Sequence, residues 1–220
     1  MEQLSPTSWP TEPHPVGKSL CHWFPPASIE PFNHVIRALP ENPTYVEFGT
    51  FLGAGTTLKA LRLRDDLQAL CLDHWGITGT SAARWNPRGA KNGRHLCDFM
   101  VGKGTALQHC QNNLWAYRDR VKLFKGSTTH RTVDILANQG IQPDCVLLDD
   151  DHSYEGFMPR LFRCRYRWPN AVIICDDHTS SWPGVVKGVK EALARGFYTK
   201  EELYQVGPRM VAFKRDKTDG

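Results

Sequence analysis

Five short apolar runs alternate with segments of helical periodicity in this chain of 220 residues, and that alternation admits few folds. The runs span Tyr45 to Gly49, Gln68 to Asp73, Val121 to Gly126, Asp144 to Asp149 and Ala171 to Asp176. They are close to continuously apolar, as strands covered on both faces must be. Helical spacing of apolar residues recurs at 56–63, 129–138, 154–167 and 183–195. It also precedes the first run at 28–40, where Ser28 is the expected N-cap. Elements in that order predict an α/β fold with a Rossmann-like, doubly wound, seven-stranded sheet, mostly parallel and finished by an antiparallel C-terminal hairpin. The hairpin is read from 201–206 and 209–214, which flank Gly207-Pro208.

Residues 1–27 hold six prolines and show no periodicity, so a proline-rich arm is expected ahead of one domain over 28–220. Residues 76–102 are also aperiodic and read as a lid or binding insertion. Arg160, Arg163 and Arg167 share one helical face, which is expected to be solvated. No stretch of 18 apolar residues occurs, which excludes a membrane-spanning helix. The N-terminus has neither the basic start nor the apolar middle of a signal peptide. The seven cysteines are scattered without a C-x-x-C pair, which supports neither a disulfide framework nor a cysteine zinc site, and a cytoplasmic location is expected. Charge is uneven: 76–125 carries nine Lys/Arg against Asp98 and Asp119. That segment reads as a solvated surface or as a patch that attracts an anionic small molecule. Its aromatic residues are too dispersed for a stacking platform, and no nucleic-acid motif accompanies them.

In an open parallel sheet, ligands bind beyond the carboxyl ends of the strands, where strand order reverses. Glu47, Asp73, the run Asp149-Asp150-Asp151 and the pair Asp176-Asp177 all belong to that rim. Four acidic strand ends repel one another unless a cation or a hydrogen-bonding ligand joins them. The first loop, Gly49 to Gly55, combines glycines for a tight turn with the start of a helix. It is not the G-x-G-x-x-G of dinucleotide sites, and Glu47 suits a cationic ligand better than a pyrophosphate. Asp73 ends the second strand, where a carboxylate can accept both hydroxyls of a ribose or simply cap the next loop. Asp149, Asp176 and Asp177 can converge on a divalent cation such as Mg²⁺, or form a hydrogen-bonded cluster of strand caps. His152 and His178 lie beside them, and His152 is the first choice for a general base.

The pattern E-x-G-x-x-x-G-x-G at 47–55 resembles motif I of class I methyltransferases that use S-adenosylmethionine. The resemblance implies that Glu47, Gly49, Thr50 and Gly53 hold the cofactor, with Asp73 on its ribose and Ser127 beside its adenine. "LDDDHSYEG", "IICDDH" and "WPGVVKGVKEAL" resemble the metal-dependent O-methyltransferase group that includes macrocin O-methyltransferase and the cephalosporin hydroxylase-like proteins. That similarity covers roughly 28–214. It implies Mg²⁺ on Asp149, Asp176 and Asp177, and Asp149 and the neighbouring candidate base His152 are the expected catalytic residues. The chain departs from the group at Gly55, where serine is common, and at Asp150, where a small residue is usual. Methyl transfer to a hydroxyl of a small molecule is the expected function. A metal-dependent hydroxylase or hydrolase on the same fold stays open, as does a non-catalytic module that binds anions through its basic insertion. Arms and lids of this kind often exchange between subunits, which leaves a homo-oligomer open.

Overall fold

The structure, a computed structural model, describes residues 4–16, 25–75 and 104–214. The expected 76–102 insertion lies outside the described residues, as does part of the arm. The sheet is built from β1 (Ser5–Thr7), β2 (Thr44–Phe48), β3 (Gln68–Asp73), β4 (Val121–Lys125), β5 (Cys145–Leu148), β6 (Val172–Cys175), β7 (Leu203–Gln205) and β8 (Val211–Phe213). Their order is β1-β4-β3-β2-β5-β6-β8-β7. Strands β2 to β6 run parallel, whereas β8 is antiparallel to both β6 and β7. The C-terminal hairpin thus lies on the sheet with its second strand inside. Chain order reverses between β2 and β5, which makes the gap between those two strand ends the natural ligand crevice.

The sheet has eight strands, one more than the seven expected. The extra strand comes from the arm, where Ser5–Thr7 pairs antiparallel with β4. Pro6 has no N–H to give a ladder, and an edge strand is where that loss is tolerated. Trp9 then anchors the arm, its indole N–H donating to the Val121 carbonyl at 3.1 Å.

Helices α1 (Pro26–Arg37), α2 (Thr56–Leu63) and α3 (Ala106–Leu114) cover one face of the sheet; α4 (His130–Asn138), α5 (Tyr154–Arg167) and α6 (Pro183–Ala194) cover the other. Alternate strand residues serve the two layers: Tyr45, Cys71 and Leu147 face the first, Val46, Leu72 and Leu148 the second. Both sides of each central strand are therefore apolar. Helix α1 begins earlier than expected, with Pro26 in its first turn, and Ser28 makes no cap. Proline suits that turn because its missing N–H would have had no helical partner. Helix α3 has no counterpart in the apolar periodicity, because His109, Gln111, Asn112 and Asn113 are buried in it. Among the described residues, no helix is long and apolar enough to cross a membrane.

Candidate active site

The carboxyl end of β2 meets that of β5 at one glycine. Gly49 has φ +92°, and a Cβ there would overlap the Asp149 carbonyl. The first loop can pass so close to the second only without a side chain. Gly49 N–H donates to the Leu72 carbonyl at 2.9 Å, and Gly53 N–H closes the next turn on the Thr50 carbonyl at 2.8 Å. Buried Thr50 donates its hydroxyl to the Glu47 carbonyl. Helix α2 then starts at Thr56 with no side-chain cap on its first amides. Glu47 is buried beneath the loop, accepting from the Tyr45 hydroxyl at 2.8 Å and the Thr57 hydroxyl at 2.5 Å. Burial pushes its carboxyl up, against the pull of these two donors. Glu47, residues 49–56, Asp149 and Asp176 line an open cleft.

Asp73 reaches the same loop from β3. One carboxylate oxygen accepts from Phe51 N–H at 2.8 Å and the other from Trp75 N–H at 2.7 Å. The Trp75 indole in turn donates to the Phe51 carbonyl at 2.7 Å. Phe51 and Trp75 both have positive φ, +51° and +41°, so Asp73 staples two left-handed turns. Trp75 is a buried core residue. Ser127 lies exposed beyond β4, its carbonyl accepting from the Thr132 hydroxyl at 2.7 Å. Neither Asp73 nor Ser127 lines the cleft of Glu47 and Asp149.

On the β5 and β6 side, the expectation named Asp149, Asp176 and Asp177, and the side chains whose potential ligand atoms lie together are Asp149, His152 and Asp177. Asp149, His152 and Asp177 each offer one atom to a group within 4.8 Å. Nε2 of His152 is 3.4 Å from Asp149 Oδ1 and 3.2 Å from Asp177 Oδ2. Asp176 is not in that group: its Oδ1 accepts the Asp177 N–H at 2.7 Å while the residue lines the cleft. Asp177 has φ +56°, and its other oxygen pairs with the Arg209 guanidinium. Burial, then Asp176 and Glu47, push the Asp149 carboxyl well up. Burial alone drives Asp176 up to about 6, opposed by Arg209. Burial, with Arg160 behind it, lowers His152 to about 4 and favours its neutral form. The ring of His152 leans on Trp182, 4.5 Å between centroids. His178 is held through its backbone, which donates to the Arg209 carbonyl at 2.7 Å.

Arg160 corrects the expectation of a solvated arginine face. Its side chain is 1% exposed and donates to the Asp150 carboxylate and the Thr128 carbonyl. It thereby joins the loop after β5 to the loop after β4. Arg163 and Arg167 meet Asp134 of α4 instead. A signal was available in the sequence: an acid at position 150, in place of a small residue, needs a cation once buried. Asn113 of α3 is a second residue that periodicity missed, donating to the Leu52 carbonyl of the glycine loop at 2.8 Å.

No protein-family model and no curated protein matches the chain. Solved structures match over most of its length. The O-methyltransferase NovP superposes with a TM-score of 0.57 at 19% identity, over 86% of this chain and 79% of its own. The calicheamicin methyltransferase CalS11 gives 0.58 at 17% identity, over 85% and 77%. PaMTH1 of Podospora anserina, solved with S-adenosylhomocysteine bound, gives 0.50 at 12% identity, over 88% and 89%. The chain has the fold of the class I methyltransferases.

Proposed function

We propose that this protein transfers a methyl group from S-adenosylmethionine to a hydroxyl of a small molecule. The cleft at the β2/β5 switch point carries the reading, because a buried acid, a glycine loop and an uncapped helix start converge there with two further carboxylates. The likeness in fold to NovP and to PaMTH1 supports it. When bound, the cofactor supplies an electrophilic methyl on a sulfonium. In this reading, Glu47 offers its carboxylate to the cationic end of the cofactor, and Gly49, Thr50 and Gly53 shape the loop around it. Asp73 acts at the ribose side, holding the Phe51 and Trp75 turns in register, and Ser127 stands at the adenine side.

The donors on the second half of the rim fit a divalent cation: two carboxylate oxygens and an imidazole nitrogen face one another at near-ligand spacing. Asp149, His152 and Asp177 would hold it, and its Lewis acidity would lower the pKa of an acceptor hydroxyl. Asp176, in the cleft beside Asp149 and outside that set, is placed to take the hydroxyl proton. Proximity and alignment of hydroxyl oxygen and methyl carbon would then contribute to the rate. Expected partners are small hydroxylated molecules, with the basic insertion favouring anionic ones.

The test is transfer of labelled methyl from S-adenosylmethionine to a panel of sugar and phenol acceptors. Asp149→Ala should lower transfer at least a hundredfold and leave S-adenosylhomocysteine affinity within about threefold of wild type. Transfer at the wild-type rate by that variant would contradict the assignment.

A further inference from the structure

We infer that His152 is a metal ligand, so that Asp149, His152 and Asp177 form an O,N,O site for a first-row transition-metal dication in preference to Mg²⁺. The inference deepens the proposed methyltransferase reading and rests on it only for the use of the cation.

The observation that points beyond an acidic cluster is His152 itself. Its side chain is only 7% exposed, and Nε2 makes no hydrogen bond although it faces two carboxylates. A buried ring nitrogen that makes no hydrogen bond is uncommon and points to an unseen ligand between it and the two carboxylates. The spacing suits a shared ion. Two donors each about 2.1 Å from a metal lie about 3.0 Å apart at an octahedral angle and about 3.4 Å apart at a tetrahedral one. The observed 3.2 and 3.4 Å fall at and between those limits.

The donors are also held from behind. Arg209 takes one oxygen of Asp177 and leaves Oδ2 toward His152. Such outer contacts orient metal ligands. Trp182 backs the imidazole, and a Cβ on Gly184 would strike the backbone at His152 and Tyr154, so α6 packs directly under the His152 turn. Asp177 is 9% exposed but Asp149 is 32% exposed, which leaves the set open on the side of the cleft. Arg209 neutralises one of the three nearby carboxylates Asp149, Asp176 and Asp177, and the remaining excess of negative charge suits a dication. A nitrogen donor sets the metal class, because Mg²⁺ selects oxygen ligands and imidazole suits the later first-row ions.

The experiment uses Mn²⁺ as the probe on the full chain, read by pulsed electron paramagnetic resonance. Wild type should show ¹⁴N coupling from one imidazole, and His178→Asn should retain it. His152→Asp should bind Mn²⁺ without ¹⁴N coupling and lose at least tenfold in its discrimination against Mg²⁺ in competition titrations. S-adenosylhomocysteine binding by the variants reports an intact fold. Mn²⁺ bound by wild type without ¹⁴N coupling overturns the inference, as does coupling lost in His178→Asn, or no Mn²⁺ binding at all. Coupling in a protein that fails to bind S-adenosylhomocysteine would uphold the metal site and contradict the methyltransferase reading instead.

Discussion

Gly49 stands where a Cβ of its own would collide with the Asp149 carbonyl of the facing loop, and its φ of +92° is one that side chains avoid. Gly49→Ala therefore combines backbone strain with a steric clash against the Asp149 carbonyl, and should cost about 2 kcal/mol or more. Urea unfolding reads that loss, and a midpoint equal to wild type would contradict it. Asp176 gives a pH-dependent case. Its carboxyl is driven from an ordinary 3.8 up to about 6 in the folded protein, so the folded state holds this proton more tightly than the unfolded chain does. The charged form accordingly costs stability that is fully felt above about pH 6 and absent below about pH 4. In metal-free protein, Asp176→Asn should raise Tm by a few degrees near pH 8 and leave it unchanged near pH 4. An equal Tm near pH 8 would refute the argument. The rim acids were legible residue by residue because strands end in them. Which atoms face one another was not, since the left-handed turn at Asp177 and the Arg209 ion pair bring His152 into the set and turn Asp176 away from it.

Between elements, Arg160 of α5 fixes the Asp150 loop to the Thr128 carbonyl. Arg160→Met leaves the Asp150 carboxylate buried without its cation and should cost about 3–5 kcal/mol. Adding Asp150→Asn should recover much of that in the double variant, and a single variant as stable as wild type would contradict the tie. Periodicity placed the helices and strands whose inner faces are apolar. It missed α3, whose inward face carries Gln111, Asn112 and Asn113 because those amides meet backbone groups of the arm and the glycine loop. It missed β1 because three residues with a central proline carry no strand signal, and only the free edge of β4 gives them a partner.

At the scale of the molecule, the parallel strands set the reversal of order between β2 and β5, and the reversal sets the cleft. Continuous apolar strands made the covered sheet legible, and the acids that end them mark the rim where the cleft opens. Neither pattern names an acceptor. In the proposed function, the glycine loop, with Glu47 beneath it, binds S-adenosylmethionine. Calorimetric titration with S-adenosylhomocysteine, with NAD as the control ligand, tests it most directly. Micromolar binding of S-adenosylhomocysteine is expected, with none of NAD and at least tenfold weaker binding in Glu47→Gln. No binding of S-adenosylhomocysteine, or equal binding of NAD, would contradict it.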